Sequence, residues 1–186
     1  SIGGGDAVIT DTDGNGTLEL VVAGSPPSPN YGSGRTVHQI WAWEGAAFSF
    51  SRAYADPPVW RYEAAYQGDE ASNGGYHEIA YDSYQRVIFD DSLFAWGRDQ
   101  DLLHPQLGLG NPDERARLSA YARYRLLLLD TFGNVDEARR EYETLQNQYP
   151  PDAVGHEYAE MAAFFWQKYT ASNIWEACES VFKQYN

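Results

Sequence analysis

Residues 11–19 read D-T-D-G-N-G-T-L-E. Oxygen-bearing side chains stand at alternate positions, Asp11, Asp13 and Asn15, with Gly14 and Gly16 between and after them. A hard cation such as Ca²⁺ takes about six to eight oxygens at roughly 2.3–2.6 Å. A tightly coiled loop turns its first, third and fifth residues toward one centre. Gly14 and Gly16 supply the positive φ values that such a coil needs. Thr17 then offers its main-chain carbonyl, and Glu19 closes the shell with one or both carboxylate oxygens. The competing reading is a glycine-rich turn that binds nothing; alternating acids with a Glu at the ninth position argue against it. The first six residues also fit an EF-hand loop, but the twelfth position is Val22 rather than Glu, and the flanks are β rather than helical. Asn15-Gly16-Thr17 is also a glycosylation sequon. A sugar there would take the place of a ligand.

Other reactive groups have simpler explanations. His156-Glu157 with Glu160, and His77-Glu78, stand at helix starts, where negative charge is favoured in any case. There is no H-E-x-x-H, no G-x-S-x-G and no phosphate loop; G-S-G at 32–34 lacks the lysine. Glu63 with Asp69, or Asp90 with Asp91, could serve as an acid pair for glycoside hydrolysis. With 27 acidic residues in the chain, such pairs arise by chance. Tyr31, Trp41, Trp43, Trp60 and Trp96 could stack on sugar rings, or could fill the core. The single cysteine, Cys178, rules out an intrachain disulfide and reads as a small buried hydrophobe.

The loop needs strands to hold it, and the N-terminal part supplies them. Ala7-Val8-Ile9, Leu18 to Ala23, Val37 to Trp43 and Ala47 to Tyr54 read as four strands, the last pair joined by a Glu44-Gly45 turn. Residues 24–34, G-S-P-P-S-P-N-Y-G-S-G, are expected to lack regular structure. D-T-D-G-N-G-T-L-E followed by L-V-V-A-G resembles the integrin-type FG-GAP repeat, in which such a loop joins two strands of a propeller blade. The resemblance covers roughly residues 5–50, with I-W-A-W-E-G-A-A-F resembling the blade's later hairpin. Only one such unit is present, and one blade cannot close a propeller. A lone small sheet capped by the helical remainder of the chain is the expectation.

After Pro57-Pro58 the hydrophobic period becomes helical. Helices are expected from Pro58 past Gly68, around Ile79 to Ile88, from Pro112-Asp113 to Thr131, from Val135 to Tyr149, from His156 to Tyr169, and from Ile174 to Tyr185. Residues 92–112 read as a long connection. The second helix of each pair repeats a small-then-large pattern: Ala80 with Tyr84, Ala138 with Tyr142, Ala177 with Val181. Residues four apart share one helix face, so the alanine admits a neighbouring helix and the larger residue fills the groove. Gly68 lies twelve residues before Ala80, and Pro150 twelve after Ala138. These offsets resemble degenerate tetratricopeptide repeats, although the alanines are 58 and 39 residues apart rather than about 34.

The expected fold is therefore α+β: a small antiparallel β-sheet unit with a calcium loop over residues 1–56, then a tetratricopeptide-like helical-hairpin array over 57–186. Thirteen basic against 27 acidic residues give a net charge of −14, which disfavours nucleic acid as a partner. No apolar run is long enough to cross a bilayer. The combined reading is a non-enzymatic, calcium-stabilised interaction or scaffold module that binds a protein or peptide. The acidic surface and the calcium motif suit an extracytoplasmic setting, secreted, periplasmic or cell-surface, with the leader absent from this chain. The alternative is a carbohydrate-binding or hydrolytic domain that uses exposed aromatics and carboxylates.

Overall fold

The computed structural model describes residues 5–24, 27–28, 32–33, 35–94, 113–169 and 173–185. The chain divides into two compact units, Ser1–Pro58 and Val59–Asn186. The fold class is α+β, a four-stranded antiparallel sheet followed by six helices among the described residues. Tyr31, Trp96, His104 and the 95–112 part of the expected connection lie outside them.

The sheet consists of β1 (Asp6–Thr10), β2 (Glu19–Gly24), β5 (Val37–Trp43) and β6 (Phe48–Ala55), in the order β1-β2-β5-β6. Each run alternates or is rich in β-branched residues, as a pleated ribbon requires. The β5–β6 turn closes through the Glu44 N–H donating to the Ala47 carbonyl at 3.0 Å. The Ser49 hydroxyl donates to Glu44 Oε1 at 2.6 Å. Between β2 and β5 the expectation of irregular chain needs correcting. Two short bridging strands, β3 (Pro27–Ser28) and β4 (Gly32–Ser33), pair with each other. Proline tolerates such an edge position because only one side of the strand must pair.

Register assigns the faces. Val8, Val21, Ile40 and Arg52 lie side by side on one face, and Ile9, Leu20, Trp41 and Phe50 on the other. Ile40 pairs with Arg52 and Trp41 with Phe50, which leaves Ser51 as a bulge in β6. Glu19, Val21 and Ile40 are buried on the first face. None of the four on the second face is buried, with Ile9 56% and Phe50 54% exposed, and on the edge strand Val8 of the first face is 55% exposed.

In the second unit, α1 (Arg61–Asn73) begins three residues later than Pro58. The start is set by Glu63, whose carboxylate accepts the Val59 and Trp60 N–H groups at 2.9 and 3.0 Å and so holds those residues outside the helix. Helices α2 (His77–Phe89), α3 (Glu114–Asp130), α4 (Val135–Gln148), α5 (His156–Lys168) and α6 (Ile174–Tyr185) complete the unit. Successive members of the pairs α1/α2, α3/α4 and α5/α6 pack together, and α3 also packs on α1, α2 and α5.

Helix α3 joins two cores. Ala122 and Leu126 belong to one, with Ala64, Ala80, Tyr84 and Val87. Ala120, Tyr124 and Leu127 belong to the other, with Ala138, Leu145, Phe165 and Val181. Leu126 and Leu127 are consecutive, so they point about 100° apart on the helix and each can serve a different core. A polar knot pins the first core: the Tyr84 and Tyr121 hydroxyls both donate to Asp69 Oδ1, at 2.7 and 2.5 Å.

Candidate metal centre

The loop between β1 and β2 carries the Asp-rich motif. Strand pairing ends at Thr10 opposite Glu19, so residues 11–18 must reverse the chain. Gly14 and Gly16 take φ of 74° and 84°, the left-handed region that a Cβ disfavours. These two turns bend the chain around the Asp11 carboxylate. Asp11 Oδ1 accepts the Gly14 N–H at 2.7 Å and the Asn15 N–H at 3.2 Å. Its Oδ2 accepts the Gly16 N–H at 2.8 Å. These donors, led by Gly16, hold the Asp11 carboxyl below the usual carboxylate range and keep it ionised.

Asp13 and Glu19 complete the group. Asp13 is exposed, and its Oδ1 accepts only a long 3.2 Å bond from the Asn15 N–H. Glu19 is 6% exposed. Its Oε2 accepts the Thr12 N–H at 2.8 Å and the Thr12 hydroxyl at 2.9 Å, while Arg52 Nη2 donates to that hydroxyl at 3.1 Å. Thr12 and Arg52 thus fix the rotamer of the most buried acid. Oxygens of Asp11, Asp13 and Glu19 all lie within 4.8 Å of one another, a grouping that could hold a metal ion. Among the described residues no other set of three His, Cys, Asp or Glu side chains gathers this closely.

The remaining expected ligands sit in the same loop. Asn15 Oδ1 accepts the Thr17 N–H at 2.7 Å, which keeps one lone pair for another donor or an ion. Thr17 is exposed. Sequence spacing has no means of identifying Thr12 or Arg52. Arg52 lies forty positions from Thr12, and only the β2-β5-β6 order brings them together.

Most of the other reactive groups are engaged in building the fold, while His77 and Glu78 lie exposed at the start of α2. Glu63 caps α1, and Asp69 receives the two tyrosines. Asp90 accepts from Ser92 and Arg86, while Asp91 pairs with Arg115 at 2.5 Å. His156 Nδ1 lies 2.8 Å from the Tyr149 carbonyl, and Glu157 pairs with Arg117 at 3.1 Å. Cys178 is half-buried, and burial pushes its thiol up, away from a reactive thiolate. Two pairs of sheet aromatics meet edge-on, Trp41 to Phe50 at 78° and Trp43 to Phe48 at 61°, while His38 stacks on Tyr54 at 11°.

Compared with protein-family models, curated proteins and solved structures, the chain matches none.

Proposed function

We propose that residues 11–19 bind one Ca²⁺ and that the chain is a non-enzymatic, calcium-stabilised interaction module of an extracytoplasmic protein. The observation that carries this reading is the convergence of Asp11, Asp13 and Glu19 oxygens within 4.8 Å. The donors are all hard oxygens. Zn²⁺ favours nitrogen and sulfur, and Mg²⁺ demands a strict octahedron and holds on to its waters. An irregular loop with carboxylate, amide and main-chain oxygens matches the looser shell of Ca²⁺. Asn15 Oδ1 and the Thr17 carbonyl are the further ligands of this reading.

The ion's role is structural. Asp11 and Asp13 have few cationic neighbours in their own loop, so a +2 charge relieves their mutual repulsion and fixes the β1–β2 reversal. If calcium exceeds its Kd about a hundredfold, linkage stabilises the folded state by about 2.7 kcal/mol. That is a large share of the stability of a small β unit. Calcium is plentiful outside cells, which fits the extracytoplasmic setting. The succession of tetratricopeptide-like helical pairs is the second element of this proposal, offering surfaces for a protein or peptide. The carbohydrate reading wants a row of coplanar exposed rings, and the edge-on Trp41–Phe50 and Trp43–Phe48 pairs lend it no support.

The test is thermal melting in calcium and in chelator. Calcium is expected to raise the Tm of the Ser1–Pro58 unit by on the order of 10 °C, given the steep Tm response of small domains. Asp13→Ala should abolish that difference. Identical melting of the unsubstituted protein in calcium and in chelator would remove the structural-calcium reading.

A further inference from the structure

Asn15-Gly16, in the loop between β1 and β2, carries a chemistry of its own. Where glycine follows asparagine, the glycine nitrogen can attack the side-chain amide carbon with no Cβ in the way. The chain has two such dipeptides, Asn15-Gly16 and Asn73-Gly74. Both asparagines are exposed, so the difference between them lies in how the fold holds the two reacting ends.

At Asn15 both ends are available. The Thr17 N–H donates to Asn15 Oδ1 at 2.7 Å. That bond draws electrons from the amide carbon and stands where negative charge develops on the oxygen during attack. The Gly16 N–H is held by a side chain, Asp11 Oδ2 at 2.8 Å. A turn of the Asp11 carboxylate frees this nitrogen without disturbing the sheet. Oxygens of Asp11, Asp13 and Glu19 lie within 4.8 Å of one another, and their repulsion favours that turn when no cation stands between them. No atom lies within 4 Å of where a Cβ would stand on Gly16, so the approach is open.

At Asn73 the backbone is locked. Asn73 is the last residue of α1, and the Gly74 N–H donates to the Glu70 carbonyl at 2.9 Å. Freeing that nitrogen requires the last helical turn to unwind. The Tyr76 ring also crowds this dipeptide, 2.9 Å from the Cβ position on Gly74.

We propose that Asn15 is a site of spontaneous covalent modification, converted through a cyclic imide to aspartate and isoaspartate. The Gly16 nitrogen gives its proton to hydroxide and bonds to Asn15 Cγ. The bond from Cγ to the side-chain nitrogen breaks, and that nitrogen takes a proton from water and leaves as ammonia. Water then adds to either imide carbonyl and opens the ring; nothing is oxidised or reduced. Either product adds a carboxylate beside Asp11, Asp13 and Glu19. Isoaspartate also inserts a carbon into the main chain, which displaces the acceptor of the Thr17 N–H. The modification thus changes both the charge and the spacing of the proposed ligand set. It goes beyond the calcium reading and does not depend on it.

The experiment incubates the full chain in chelator at mildly alkaline pH and follows both asparagines by peptide mapping, with chromatography resolving isoaspartate from aspartate. Asn15 is expected to convert at least about tenfold faster than Asn73, since misplacing a reacting group by about 1 Å costs on the order of 100-fold. Isoaspartate is expected among the products, because direct hydrolysis of the side chain yields aspartate alone. In urea the fold no longer separates the two dipeptides, and their rates should converge. Equal rates in the folded chain, a faster Asn73, or aspartate as the sole product overturns the proposal. A rate ratio that persists unchanged in urea also overturns it, since the fold would then play no part. Chelator-insensitive melting would remove the calcium reading without altering these rates.

Discussion

Asp11 and Asp13 differ in what they do for the loop, and that difference decides which substitution is informative. Asp11 accepts three backbone N–H groups, so its removal would loosen the turn whether or not an ion is bound. Asp13 accepts one long bond and is exposed, so Asp13→Ala removes a proposed ligand while leaving most of the scaffold. Asp130 offers a second residue-level prediction, on pH. Its carboxyl is raised only in the folded chain, from 3.8 to about 6. Its stabilising contribution is therefore complete below about pH 4 and lost as the pH rises through about 6. At pH 7 the charge is a liability, and Asp130→Asn should stabilise the helical unit. The full shift would convert to about 3 kcal/mol, but Asp130 is only half-buried, and screening reduces this to on the order of 1 kcal/mol. Melting of the two proteins at about pH 4 and about pH 7 checks this, with the gain expected only at the higher pH. Asp11 and Asp13 are legible in the sequence because local spacing sets their geometry, whereas the placing of Glu19 also depends on Thr12 and on Arg52 of β6. Asp130 is not legible, since its perturbation comes from burial and from Glu137 and Glu141 on another helix.

At the scale of elements, the helical pairs are readable wherever a small residue and a periodic apolar stripe coincide. Ala80, Ala138 and Ala177 are each fully buried, as the small-then-large pattern requires. The start of α1 departs from expectation because Pro58 is a good first-turn residue in isolation, whereas the Glu63 cap prevails. Gly68 illustrates the close approach of α1 and α2. A Cβ there would stand 2.5 Å from the Tyr84 ring. That ring cannot swing aside, because it is fully buried and its hydroxyl is held by Asp69. Alanine's better helix propensity returns only about 1 kcal/mol. Gly68→Ala should therefore destabilise the second unit by a net figure of about 1–2 kcal/mol, read by chemical denaturation. An unchanged or higher midpoint would contradict this packing. The pairing of Pro27–Ser28 with Gly32–Ser33 escapes the sequence pattern for the opposite reason: Pro and Gly mask a pairing of two residues on each side.

For the whole molecule, the net charge of −14 gives a field that disfavours polyanions such as nucleic acid. In the first unit, carboxylates converge on a point, which suits a small divalent ion. The division into units is visible as a change of hydrophobic period after Pro57-Pro58. The most direct measurement is a crystal structure of the chain grown in millimolar calcium, with anomalous data collected to locate the ion. The account predicts one peak at about 2.3–2.6 Å from oxygens of Asp11, Asp13 and Glu19. An ordered loop with those carboxylates turned outward and no peak between them would contradict it.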